Sequence, residues 1–485
     1  MTFLAAGCVI YAAVIGWLAS HLHATPAEWG YSLAHLLLAA AINAHLLYVA
    51  RRRSLSLLGS APLAFLIVSH VYFTVNGLKY FSPILLYPQF ELSLGTQFAG
   101  SALGALVLFL CALLLRWQRG PSTERMHAWI RRYWPDLRRL MFISVAGSLA
   151  CKFALYRLGY GSTYTDTAYT EHAVRTYADY FVLLGNDTFG ALSLVLGFTF
   201  LVGSKEEHPA GGFSRLVAGL GVFSQVIYSL LYLKARMIVL ISFVTLALTA
   251  EVASRRWGER MLRLLFLAIL PLSLLGVKLT LLIGRVNLPE DTGLRLSIAA
   301  VNRRADLTDF ATAIVVNSHG EAHDVGIVSA AVLNAIPRFF YTNKEAVVHD
   351  VYSEILEQRL GWPAGAGPDM LADYQDSIFS AGVMAFGVVG FLLAPLGLVL
   401  GLYGVSRILE QSFHGLGYGI TILALWLSAM HTEVEFATIP LNFRQAASVA
   451  IIAYALAWAA RLAHQVVVLA SRPPSSIAPA QVGAR

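Results

Sequence analysis

The sequence predicts an all-α protein: a polytopic membrane helix bundle with about twelve transmembrane helices and one large helical loop on the outer side. Three observations predict it. The 485 residues are 57% hydrophobic and only 13% charged, where a soluble domain carries roughly 25% charged residues. The apolar residues fall in long continuous runs rather than ten-residue alternations, which selects helices over a β-barrel. The basic residues collect in short segments between runs, which is how membrane topology is written.

The apolar runs lie near 2–20, 31–50, 60–80, 95–116, 139–157, 183–203, 216–233, 237–254, 262–284, 378–402, 414–431 and 445–468. Most approach the roughly 20 residues that cross the hydrocarbon core. The chain divides accordingly into a membrane bundle over 1–284, a large loop over 285–377, a second membrane portion over 378–468 and a tail over 469–485, expected to be disordered. Nothing basic precedes the first run, so it is expected to stay as an uncleaved span.

Orientation follows from arginine. Arg51, Arg52 and Arg53 follow the second run; Arg116, Arg119, Arg125, Arg131, Arg132, Arg138 and Arg139 follow the fourth; Arg255, Arg256, Arg260 and Arg263 follow the eighth. With an inside N-terminus and twelve spans, all these loops share one side, which the positive-inside rule makes cytoplasmic. The net charge of +7 therefore reports topology. No basic stripe interleaved with stacking aromatics occurs, so nucleic acid is not an expected partner.

Residues 285–377, with seven basic and thirteen acidic residues, are too many for an ordinary connection. Val301, Leu307, Phe310 and Ile314 recur at roughly helical spacing. Thr342 and Glu345 suit a capping box for a second helix, with Val347, Val351 and Ile355 on one face and Gly361 and Pro363 at its end. The loop reads as a small helical lid seated on the bundle. In the following run, Gly397 and Gly401 form a GxxxG pair expected to pack closely against a neighbour.

Charges beside hydrocarbon are costly unless paired or wet, so they point to function. Lys234 and Arg236 occupy a tight outer turn; Lys278 and Arg285 sit seven residues apart near the outer end of the ninth run; Lys152 and Arg157 end the fifth. Each pair can snorkel to lipid phosphates, or together they can line a positive pocket. Arg338 and Lys344 lie in the loop, and Asp369, Asp373 and Asp376 precede the tenth run. Glu433 and Glu435 flank the last outer turn with Arg444, as a base or as its partners. His319, Glu321 and His323 lack the zincin order, because Gly320 follows the first histidine. They read as exposed loop, and no metal or other cofactor is expected. Cys8, Cys111 and Cys151 all fall in apolar runs and suggest no disulfide framework. The absence of a Walker loop, a dinucleotide fingerprint and a G-x-S-x-G elbow argues against an ATP-driven pump and a serine hydrolase.

Three features resemble the bacterial oligosaccharide repeat-unit polymerases, the Wzy-like O-antigen and exopolysaccharide polymerases. One is the layout, with a single large outer loop in the second half. The second is Asn334-Ala335-Ile336-Pro337-Arg338-Phe339-Phe340-Tyr341-Thr342-Asn343-Lys344, similar to the family's Pro-Arg…Lys segment. The third is the glycine-rich passage from Asp376 through Gly382, Gly387 and Gly390. The turn Lys234-Ala235-Arg236 also resembles the family's basic turn. Glu345 stands where the family often has proline.

The resemblance implies a GT-C-like glycosyltransferase of the bacterial inner membrane with a periplasmic loop. Its substrate would be undecaprenyl-pyrophosphate-linked glycan, and a chain-length regulator could be a further partner. Arg236, Arg285 and Arg338 would stabilise the leaving pyrophosphate. Lys234, Lys278, Lys344 and Arg444 would bind substrate, and Asp376 or Glu433 would assist deprotonation. O-antigen ligases share the layout and need an outer-loop histidine, for which His319, His323 and His349 are present. A secondary transporter or lipid-linked oligosaccharide flippase is the other-class alternative; it would need charges near the bilayer midplane.

Overall fold

A computed structural model of the chain describes residues 2–82, 92–117, 121–158, 177–203, 211–231, 236–284, 290–321, 326–336, 377–412, 414–430 and 439–471. The described residues are overwhelmingly helical. In chain order the helices are α1 (Thr2–His21), α2 (Pro26–Arg52), α3 (Ala61–Asn76), α4 (Leu94–Leu114), α5 (Thr123–Arg157), α6 (Tyr177–Val202), α7 (Gly212–Leu231), α8 (Arg236–Thr249), α9 (Arg255–Gly284), α10 (Glu290–Ala305), α11 (Asp309–Asn317), α12 (Gly326–Ala335), α13 (Ile378–Phe386), α14 (Gly390–Ser412), α15 (Gly415–Met430) and α16 (Ile439–Ala470). Among the described residues, seven stretches are long and apolar enough to cross a membrane, and three shorter apolar helices accompany them. The protein is a helical membrane protein on this ground.

Local sequence sets the helix starts. Thr25 Oγ1 accepts from the Glu28 N–H at 3.3 Å, while the Glu28 carboxylate accepts from the Thr25 N–H at 2.6 Å, a reciprocal capping box followed by Pro26. Ser93 and Ser122 cap α4 and α5 one-way, accepting from the N–H groups of Thr96 (3.1 Å) and Arg125 (3.2 Å). The fifth helix begins well before the apolar run expected at 139–157. Its first turns are amphipathic, burying Met126, Trp129, Ile130, Tyr133 and Trp134 while arginines occupy the other face.

Helix α3 and the 3-10 turn Lys79–Phe81 after it form the centre of the bundle, with every residue buried. Polar side chains of α2 are tied to backbone carbonyls of this segment. Ser32 Oγ of α2 donates to the Gly77 carbonyl at 2.7 Å, and His35 Nε2 lies 2.7 Å from the Phe73 carbonyl oxygen.

One face gathers the arginine-rich connections, as the charge pattern predicts. The Ser56 N–H donates to the Pro121 carbonyl at 3.0 Å. The buried Glu251 carboxylate accepts from Ser56 Oγ (2.9 Å), the N–H groups of Leu57 (2.7 Å) and Leu58 (3.0 Å), Thr123 Oγ1 (3.0 Å) and Arg255 (2.8 Å). Arg255 also donates to the Ala50 carbonyl at 3.1 Å. Three connections far apart in sequence are thus locked by one carboxylate.

The run expected as a single span over 378–402 is a hairpin. Gly387 has φ 65° and ψ −156°, a conformation open to glycine and hostile to a Cβ. After it α14 turns back along α13: a Cβ on Gly382 would fall 2.6 Å from Ala394 Cβ and collide with the Gly390 carbonyl. Two residues eight apart in one continuous helix would stand about 12 Å apart. The close glycine pair is therefore Gly382 and Gly390. Gly397 and Gly401, expected at a helix interface, are exposed, and a Cβ on either would meet nothing within 4 Å.

The expected lid also differs. Val301, Leu307, Phe310 and Ile314 are all buried, but they belong to two helices, α10 and α11, with Leu307 in the break between them. That break enters the bundle. A Cβ on Gly104 would lie 2.5 Å from Thr308 Cγ2, and one on Gly100 would clash with Thr312 Oγ1. Gly104 is at the middle of the 21-residue α4, about 15 Å along the axis from either end. The capped helix expected after Thr342 lies outside the described residues.

Candidate functional site

The break between α10 and α11 builds a polar site inside an apolar bundle. Asp306 holds the start of α11, its carboxylate accepting from the N–H groups of Thr308 (3.0 Å), Asp309 (2.8 Å) and Phe310 (3.0 Å). This satisfies donors that a helix start leaves unpaired. Ser377 caps α13, accepting from the Ser380 N–H at 3.4 Å, and its own hydroxyl donates to the Leu307 carbonyl at 2.6 Å. Two short helices, α11 and α13, therefore begin side by side in the interior and run outward from it. Their partial positive ends point to the same region.

Lys79, 4% exposed, reaches this region from the end of α3. It forms an ion pair with Asp309 and donates to Ser101 Oγ of α4 at 2.8 Å. Its ammonium also lies 5.2 Å from the centroid of the Tyr80 ring. The Tyr80 hydroxyl is 3.5 Å from both Ser101 Oγ and His35 Nδ1. The pair neutralises two charges that would otherwise be stranded in a low-dielectric interior.

Further buried groups have no protein partner. Both amide atoms of Asn76, three residues before Lys79, and both of Asn302, four before Asp306, are unsatisfied among the described residues, as is Thr308 Oγ1. Buried amides without protein partners call for water or a polar ligand.

The rim opposite the arginine-rich face is fastened separately. Arg295 of α10 donates to the carbonyls of Phe81 (2.8 Å) and Leu22 (2.6 Å) and lies 3.6 Å from Glu28. Ser82 Oγ donates back to the Arg295 carbonyl at 3.1 Å. One guanidinium joins α10 to the end of α1, the start of α2 and the 3-10 turn after α3.

Of the residues singled out from sequence, Lys234, Arg285, Arg338, Lys344, Asp376 and Glu433 lie outside the described residues. Arg236 opens α8, and Lys278 lies in the last turns of α9. Those two helices are consecutive and pack against each other, so Arg236 and the end of α9 share the side opposite the arginine-rich connections. Arg444 is half-buried on α16 and engaged with a partner. Helix α12, which ends shortly before Arg338, packs against both α16 and α13. Asp376 immediately precedes Ser377. Lys152 donates to Ser148 Oγ and sits 5.2 Å over the Tyr228 ring, and Arg157 is exposed. His319 and Glu321 are exposed too. Among the described residues no group of three or more His, Cys, Asp or Glu side chains could hold a metal.

Sequence reasoning passed over Lys79, Asp306 and Asp309. The available signal was a lysine inside an otherwise apolar run, Gly77-Leu78-Lys79-Tyr80-Phe81, and two aspartates in Arg304-Ala305-Asp306-Leu307-Thr308-Asp309. Their pairing was not readable, because 230 positions separate the lysine from its partner. No family model, curated protein or solved structure matches the chain.

Proposed function

We propose that the protein polymerises undecaprenyl-pyrophosphate-linked oligosaccharide repeat units at the outer face of a bacterial inner membrane. The observation that carries this reading is the bond from Ser377 to the Leu307 carbonyl. It fixes the chain just after Asp376 beside the paired starts of α11 and α13, in a polar interior bordered by unsatisfied amides. An acceptor hydroxyl held there would be shielded from water that competes for the donor.

In the proposed reaction the acceptor hydroxyl attacks the anomeric carbon of the donor sugar. The bond to the lipid pyrophosphate breaks, and the hydroxyl proton passes to a carboxylate, Asp376 or Glu433. Negative charge grows on the departing oxygen, and guanidinium groups of Arg236, Arg285 and Arg338 stabilise it, with Lys234, Lys278, Lys344 and Arg444 holding the substrate phosphates and sugars. The shared outer side of Arg236 and the end of α9, and the packing of α12 on the helix that bears Arg444, support this assembly.

The test is direct. Purified protein given lipid-linked repeat units in detergent should yield a ladder of polymer lengths, and Arg236→Ala and Arg338→Ala should leave single repeats. Ladders of normal length from both variants at matched protein amounts would sink the pyrophosphate clamp. Transfer of glycan to a lipid A core without polymer would instead identify a ligase.

A second reading is favoured by one specific observation. Short helices meeting inside a bundle beside an ion pair resemble the discontinuous helices of secondary transporters. Gradient-dependent movement of lipid-linked oligosaccharide across proteoliposomes, with no polymer formed, would establish it.

A further inference from the structure

The arginine-rich face carries two cavities of similar size and different charge. One, of about 380 Å³, is lined by Arg51, Arg256, Arg260, Arg263 and Glu259. Glu259 supplies its own counter-charge, lying 3.2 Å from Arg255, 3.8 Å from Arg51 and 3.9 Å from Arg263. The other, of about 370 Å³, is lined by Tyr48, Val49, Arg52, Arg53 and Arg116. No carboxylate lines it, and among the described residues none pairs with its three arginines.

The second cavity is organised around Tyr48. Arg52 donates to the Tyr48 hydroxyl at 2.6 Å, and the guanidinium carbons of Arg52 and Arg116 each lie 5.9 Å from the ring centroid. Helix C-termini attract single cations, and α2 and α4 both end here. That attraction explains each arginine by itself. It does not offset the mutual repulsion of three cations around one space, which an anion would.

The surroundings say what kind of anion. Both helices are long and apolar enough to cross the membrane, so their ends lie at headgroup level. Toward the membrane, exposed apolar side chains continue along the same two helices: Leu37 on α2, and Phe109, Leu106 and Leu103 on α4. His45 packs tilted against Phe109, with centroids 4.2 Å apart, and holds the two helices together beneath the cavity. A cationic cup above an apolar track fits a phosphodiester joined to acyl chains.

We propose that the cavity of Tyr48, Arg52, Arg53 and Arg116 binds the headgroup phosphate of an anionic phospholipid of the arginine-side leaflet, with its acyl chains along α2 and α4. The site stands apart from the proposed polymerase chemistry and does not depend on it.

Native mass spectrometry of the full chain, stripped of lipid in detergent and titrated with phosphatidylglycerol, phosphatidylcholine or inorganic phosphate, tests the proposal. Arg52→Ala/Arg116→Ala should weaken phosphatidylglycerol binding by about tenfold or more, from roughly 1 kcal/mol for each arginine. Phosphatidylcholine binding should be unchanged. Arg260→Ala, in the other cavity, should bind phosphatidylglycerol like the parent protein. Should the double variant not fold, Arg52→Gln keeps the stem and should still weaken binding by about fivefold. Undiminished phosphatidylglycerol binding in the folded variant overturns the site. Equal loss in Arg260→Ala overturns its location. Inorganic phosphate binding as tightly as phosphatidylglycerol overturns the lipid as ligand.

Discussion

Lys79 and Asp309 stand 230 residues apart and share one ion pair, with side chains 3% and 5% exposed. The pair joins the end of the wholly buried α3 to the start of a helix that sequence alone assigned to an outer loop. Breaking a buried pair from one side costs more than replacing both members, because the survivor keeps its charge without a partner. Lys79→Met and Asp309→Leu should each destabilise the protein by about 3–5 kcal/mol. The double variant should recover most of that. Melting temperatures of the three proteins in one detergent decide the matter, and a double variant as unstable as the sum of the singles would refute the pairing argument.

The contact of Gly104 with Thr308 gives a second prediction. Gly104→Leu forces residues 306–312 away from the middle of α4, and overpacking of this kind costs about 1–3 kcal/mol. Gly397→Leu, in open space, should leave stability and polymer length unaltered. If the two variants melt alike, the outer segment does not enter the bundle at α4.

Glu251 provides the third. Its carboxylate serves the N–H groups of Leu57 and Leu58, two hydroxyls and Arg255. Glu251→Ala strands those donors and a half-buried guanidinium, for a loss of about 3 kcal/mol or more. Glu124→Ala, an exposed acid on the same face, should stay within about 0.5 kcal/mol of the parent. Limited proteolysis of the 53–60 connection should accelerate in the first variant alone.

The fourth rests on the polymerase reading. Asp376→Asn should lower the polymerisation rate by about 10²–10⁴, the usual contribution of a positioned base. Binding of the lipid-linked repeat should change little. Asp373→Asn, three residues earlier, serves as the comparison. A rate unaffected by Asp376→Asn moves the base to Glu433.

Most helix positions were legible because an apolar run long enough to span a bilayer has few other uses. The shared face of Arg53, Arg125 and Arg255 was legible from the clustering of arginine in alternate connections. The reversal at Gly387 was not, since Ile378–Phe386 and Gly390–Ser412 are apolar on both sides of it and hydropathy carries no direction. The packing of Gly100 and Gly104 was not readable either. A glycine in a helix declares that something comes close, not what, and Gly397 declared falsely. The residues of the proposed clamp, Arg236, Arg285 and Arg338, were chosen for their charge chemistry and for the resemblance, and of the three the described residues include Arg236 alone.

The union of Lys79 with Asp309 also sets an order on biogenesis. During synthesis the lysine is made long before its counter-ion, so α3 enters the membrane region with an uncompensated ammonium at its trailing end. Closure around α3 therefore waits for the later half of the chain, which supplies both the counter-ion of Lys79 and the helices α14 and α15 that pack on α3.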